Sequence, residues 1–175
     1  MCTRVFWNTV KQQALVGRTM DWPESTEPVL SVLPAGMKRD GGRVGTTVVV
    51  KERPCTWTSK YGSLVTSIYG IGSADGLNER GLAMHMLYLN AANFGARDAS
   101  KPGIQAGLWG QYVLDNAASV PEALQLLEGV QIVMAHARGH DANVHLAIED
   151  ASGDSAVIEY IDGKPVIHHG REFQI

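Results

Sequence analysis

The 175-residue sequence predicts an α+β fold in which helices lie over largely antiparallel sheet. Short apolar runs broken by Gly, Pro and Asp fill the first half. The apolar period becomes helical after Lys101-Pro102-Gly103, and strand-like runs return after Gly129. No repeat or low-complexity linker divides the chain, so residues 1–175 are read as a single domain.

The strand candidates of the first half are CTRVFW from Cys2, QALVGRTM from Gln13, PVLSVLP from Pro28, VGTTVVVK from Val44, SLVTSIYG from Ser63 and GLAMHMLYL from Gly81. Asp40–Gly42 and Asp75–Gly76 read as turns, and Asn78 as a turn residue suited to left-handed backbone. TTVVV and LAMHML do not alternate, which predicts strands buried on both faces. Ile104, Leu108, Trp109, Tyr112 and Val113 share one face of a helix, so the two aromatics are read as core. A second helix starts at the capping box of Ser119 and Glu122, accepts Pro121 in its first turn and stops at Gly129. Strands then resume at VQIVMAH, VHLAIED, SAVIEYI and KPVIHH, with turns at 149–155 and at Asp162–Lys164.

The composition is 45% hydrophobic and 19% charged, with a net charge of −3 and a pI near 6.0. That balance gives no basic face for nucleic acid, and no apolar run reaches the length of a membrane span. Cys2 and Cys55 have neither metal-ligand nor redox spacing and are read as reduced thiols. As the sequence stands the expected location is cytoplasmic, unless a leader preceded Cys2.

Cys2 is the residue with the most chemistry. Loss of Met1 would leave a thiol and a free amine on one residue. Unperturbed, an α-amine titrates near 7.7 to 8.0 and a thiol near 8.5, close enough to exchange a proton at neutral pH. A nucleophile and its base would then share a residue. Arg18 and Asp21, in GRTMDW, end a strand close in sequence to the Trp22-Pro23 turn. A cation beside a thiol favours thiolate, and a carboxylate can orient an ammonium. The same two residues also fit an ordinary ion pair.

The segments MCTR, GRTMDW, GMKRDGG, WTSKYGS, ADGLNERGLAMHMLYL, QYVLDNAASVPEAL and SGDSAVIEYIDGKPVIHH occur in order along nearly the whole chain. Together they resemble the choloylglycine hydrolase family, most closely the penicillin V acylases of its Gram-negative branch. The resemblance implies an N-terminal nucleophile hydrolase with a four-layer αββα sandwich, active after removal of Met1. It implies Cys2 as nucleophile, Arg18 in contact with it, Asp21 anchoring its amine, and Tyr88 in the oxyanion hole and substrate site, with Trp22 as a further substrate wall. An aromatic residue at 88 resembles the penicillin acylases, whereas the bile salt hydrolases usually carry asparagine. The implied substrates are penicillin V and long-chain acyl-homoserine lactones, with conjugated bile salts as the alternative. No metal or organic cofactor is called for. A periplasmic homo-oligomer, in the family a tetramer, is also implied. Family members continue past Arg171–Ile175 into a Thr-Asn motif and a later arginine, so the chain is expected to be the N-terminal part of a longer domain.

The rival reading is a non-catalytic binding domain with Cys2 unprocessed and buried as a small apolar residue. His136, His140, His145, His168 and His169 match no metal-ligand spacing and are read as surface or satisfied core histidines. Glu149, Asp150 and Asp154 flank a hairpin and are read as solvated. Trp57 is left open between a pocket wall and a packed strand.

Overall fold

The computed structural model describes residues 2–8 and 14–171. Met1, expected from the sequence to be removed, lies outside them. Strands β1 (Cys2–Trp7) and β2 (Leu15–Met20) form an antiparallel ribbon. The main sheet is an antiparallel meander of β3 (Val29–Leu33), β4 (Ser63–Ile68), β5 (Gly72–Asn78), β6 (Ala83–Tyr88), β7 (Val144–Glu149), β8 (Ser155–Ile161) and β9 (Lys164–Gly170). The seven strands neighbour one another in chain order, so the topology needs no crossover.

Residues 89–143 leave the sheet after β6 and return at β7, carrying helices α1 (Trp109–Asn116) and α2 (Val120–Glu128). The core lies between α1 and the sheet, where Trp109, Leu114, Met84, Leu146, Ile148 and Ile158 are almost completely buried. Gly76 permits the close approach: a Cβ there would meet Leu114 Cδ1 at 2.6 Å and Val65 Cγ1 at 2.8 Å. The ribbon packs on the opposite face, which makes three layers of helix, sheet and ribbon. Its inward residues Arg4 and Phe6 are buried, while Val5, Trp7 and Leu15 point outward. Beyond the ribbon, Leu30, Val32, Leu64 and Leu77 remain exposed on the same sheet face.

VGTTVVVK is no strand: Arg43–Val44 and Thr47–Val48 make a two-residue ribbon around Gly45, and in TTVVV only Val50 is buried. Both Val49 N and Val50 N donate to Gly42 O, which turns the chain. Asp75–Gly76 is no turn but the middle of β5. Asn78 takes no left-handed backbone; the turn is made by Gly81 at φ 83°. Instead Asn78 is buried, donating to Leu114 O and Ala117 O at the end of α1 and accepting from Arg80 N and Leu82 N. All four of its amide hydrogen-bonding positions are thereby used. The first helix starts at Trp109, with Ile104 on a short strand (Gly103–Gln105) that pairs in parallel with Gln131–Val133.

The second helix begins as expected, Ser119 Oγ accepting from Glu122 N. Glu122 reaches back to Ala118 N, one residue before the cap. Glu149 and Asp150, expected to be solvated, are both buried. Asp150 Oδ2 accepts from Val120 N, tying the β7–β8 hairpin to the start of α2. No helix among the described residues is long and apolar enough to cross a membrane.

Candidate active site

The site begins where the sheet splits. β6 pairs with β7 along its whole length, from Ala83↔Glu149 to Tyr88↔Val144, but with β5 only as far as His85↔Asp75. Past that rung Gly72, Ser73 and Ala74 diverge from Met86 and Tyr88. Leu89 N donates to Asn143 O, so the alternation of the ladder turns the backbone groups of Met86 and Tyr88 away from β7 and toward the split. An N–H of this kind is a donor awaiting an acceptor.

The split opens into a cavity of about 160 Å³, comparable to one that accepts a benzene ring. Cys2, Met20, Trp22, Tyr69, Tyr88 and His140 are among its walls, which are mostly apolar. Cys2 stands opposite Met20 at the open end of the ribbon and packs against Leu87, Ala147 and Val157 of the sheet. Trp22 meets Tyr88 with ring centroids 5.6 Å apart and His140 edge-on at 5.2 Å. The indole is fixed by donation from Nε1 to Tyr69 Oη at 2.7 Å, and Tyr69 in turn donates to Glu24 Oε1 at 2.8 Å.

Of the residues expected from sequence, Cys2, Trp22 and Tyr88 are thus brought into one cavity. Arg18 is not a wall of it. Its guanidinium lies behind, in the split, where Nη2 donates to Met86 O and Nε is 3.3 Å from Asp75 Oδ1. That bond satisfies a carbonyl that has no partner on β5. Asp21 directly follows Met20, the partner of Cys2 across the ribbon, and it is exposed and outside the cavity lining. Cys55 is remote from all of these, packed on the core beside Tyr112, and burial pushes its thiol pKa up against the lowering effect of the Tyr112 hydrogen bond. Tyr112 is itself pushed up to about 12 by burial and by Cys55. Trp57 proves to be a packed strand residue, edge-on to Tyr112 at 4.9 Å and donating to Asp115 Oδ2.

A model of the linear amide C–N hydrolases of the choloylglycine hydrolase family matches residues 2–174. The chain belongs to this family. It is 40% identical over 172 residues to the penicillin V acylase of Pectobacterium atrosepticum, a match covering 92% of this chain and 44% of that protein. The solved structure of penicillin V acylase from Agrobacterium tumefaciens is 42% identical, with a TM-score of 0.82 over 98% of this chain and 50% of its own. A mutant conjugated bile acid hydrolase from Clostridium perfringens is 25% identical, with a TM-score of 0.79 over 97% and 51%. The chain therefore spans about half the length of these relatives, and its layered sheet has the N-terminal nucleophile hydrolase architecture.

Four residues in or behind this cavity were not put forward as site residues by the sequence, His140 being read there as a surface or satisfied core histidine. Tyr69 and His140 reach the cavity from segments remote in sequence, and nothing local marks them. Asp75 was hidden by its turn-like neighbour Gly76. His85 did carry a signal, being the polar residue inside the apolar run LAMHML.

Proposed function

We propose that the chain hydrolyses linear amides through Cys2, acting on penicillin V and related acyl amides such as long-chain acyl-homoserine lactones. Family membership supports the reaction class, and relatives named penicillin V acylase at 40% and 42% identity support the substrate. The observation that carries the reading is the meeting of Cys2 with Trp22 and Tyr88 in one mostly apolar cavity.

With Met1 removed, the Cys2 amine takes the thiol proton and the thiolate attacks the amide carbonyl. The tetrahedral oxyanion is met by backbone N–H of the split at Tyr88, a type of donor worth roughly a hundredfold to a thousandfold in turnover. The ammonium protonates the leaving amine, the C–N bond breaks, and a thioester remains. Water activated by the same amine then releases the acid and regenerates the thiol. Asp21, one residue past the Cys2–Met20 rung, orients the ammonium, and Arg18 holds the Met86 carbonyl of the split in place. The aromatic walls receive the acyl group, whose burial contributes about 25 cal/mol per Å² of apolar area.

The test joins intact mass to turnover in the full-length protein. Protein lacking Met1 should cleave penicillin V, Cys2→Ala should abolish cleavage, and a version shown by mass to retain Met1 should be inactive, because a peptide-bonded nitrogen is no base. Full activity with Met1 in place would remove the N-terminal nucleophile. Faster turnover of a glycine-conjugated bile salt than of penicillin V would overturn the substrate assignment alone.

A further inference from the structure

Beneath Cys2 lies a cluster of charged side chains of which the reading above uses only Arg18. Arg4 and Arg18 are partners across the ribbon and point inward on the same face as the neighbouring Cys2–Met20 rung. Two guanidiniums set opposite each other repel, and each is answered by a carboxylate of the sheet. Arg4 Nη2 donates to Glu149 Oε2 and, at 3.0 Å, to Ser155 Oγ. Arg18 Nε lies 3.3 Å from Asp75 Oδ1. His85 joins the two acids: Nδ1 is 2.7 Å from Asp75 Oδ1 and Nε2 is 2.7 Å from Glu149 Oε1. Ionised carboxylates only accept hydrogen bonds, so both ring nitrogens donate and the ring is an imidazolium.

We propose that His85 is a positioning residue for Cys2: by bridging Asp75 and Glu149 it holds the Arg4–Arg18 rung, and with it the nucleophile's end of the ribbon, against the sheet. The proposal rests on the reading of Cys2 as the nucleophile. Its bridge spans β5, β6 and β7 and reaches both strands of the ribbon through the arginines. The Asp75 end is also where β5 and β6 part company, so what fixes Asp75 fixes Arg18 in the split and its bond to Met86 O.

The groups facing His85 are Asp75 of β5, Glu149 of β7 and the two ribbon arginines, with Thr66 of β4 and Asp150 on the same groove. Burial disfavours the charged ring, but the hydrogen bonds and charges of Asp75 and Glu149 outweigh burial and hold the imidazole pKa above its ordinary value. When the ring does lose a proton, a nitrogen lone pair faces a carboxylate oxygen and attraction becomes repulsion. Glu149 stays bound to Arg4, its side chain being 4% exposed, whereas the Asp75 side chain is 25% exposed and can turn to water. Arg18 then loses its anion. Positioning is therefore lost on the alkaline side.

The test compares the full-length protein with His85→Gln, which can donate to only one of the two acids. With penicillin V, kcat should fall about tenfold while KM stays within about twofold, and the alkaline limb of the pH–kcat profile should shift from its wild-type position. A second readout needs no substrate: the rate at which iodoacetamide alkylates Cys2, followed by mass spectrometry from about pH 6 to pH 10. The thiol and amine of Cys2 shape the curve of both proteins, so the readout is the ratio of the two rates, which should change with pH on the alkaline side. Failure of wild type to cleave penicillin V would count against the substrate reading, and the alkylation profile would still decide the role of His85. A ratio of the two rates that does not vary with pH, with kcat of His85→Gln within about twofold of wild type, would overturn the proposal. Should His85→Gln not fold, Asp75→Asn removes the charge at the wetter end of the same bridge, and an unaltered alkylation profile in that variant is equally fatal.

Discussion

Arg4 and Arg18 stand directly opposite each other across the ribbon, yet the sheet buries them unequally. The Arg4 side chain is 1% exposed and its partner Glu149 4%, whereas Arg18 is 12% exposed and Asp75 25%. Removing one member of a buried ion pair strands the other in low dielectric, at a cost of about 3–5 kcal/mol. Arg4→Met is therefore expected to destabilise the protein by that amount in urea unfolding. Arg18→Met should cost clearly less, because Asp75 can be hydrated, and should show its main effect in turnover. Equal losses of stability in the two variants would contradict this division between a structural and a functional arginine.

The same cluster predicts how stability varies with pH. The native His85 pKa lies above its ordinary 6.5, so its contribution is complete below that value and is lost as pH rises through the raised native one. For Glu149, burial raises the pKa, but the His85 hydrogen bond and the charges of His85 and Arg4 more than offset it, leaving it below the ordinary 4.5. Its contribution is complete above 4.5 and is lost as pH falls through the depressed native value. The cluster thus stabilises most between these limits. The difference in melting temperature between wild type and His85→Gln should be largest there and should shrink toward alkaline pH. A difference that grows with pH would mean that the ring is neutral in the folded protein.

How far the sequence carries toward this site depends on whether the signal is local. The ribbon, most strands of the meander and the cap at Ser119 were legible, because alternation, turn residues and capping act over a few neighbours. β5 was not, since Gly76 reads as a turn unless Leu114 is known to press against it, and that contact belongs to a helix nearly forty residues away. Asn78 and Glu149 failed for the same reason. A polar residue beside a loop is solvated by default, and only tertiary contacts with the end of α1 or with Arg4 make it buried and paired. Cys2, Trp22 and Tyr88 were reachable through the family pattern, whereas the bridge from Arg18 to Arg4 is composed of pairings across the sheet that no linear spacing expresses.

Tyr69 offers the sharpest test of the cavity as the acyl site. It sits in the left-handed region at φ 55°, directly before Gly70, in the turn that joins β4 to β5. That turn aims its hydroxyl at the Trp22 indole and leaves its ring under the Arg138 guanidinium, 4.8 Å away. Tyr69→Phe keeps both rings and deletes only the oxygen that accepts from Trp22 Nε1. The indole then loses the contact that sets its tilt against Tyr88, while Cys2 and the backbone of the split are untouched. A lost hydrogen bond of this kind corresponds to about a three- to tenfold effect, expected as a rise in KM for penicillin V with kcat within about twofold. An amide with a short acyl chain, which does not reach the indole, should show no change. If KM for penicillin V is unaltered, Trp22 is not a wall of the acyl site. If kcat falls instead while KM holds, the Tyr69 hydroxyl acts on the chemistry, and the cavity has been assigned to the wrong part of the substrate.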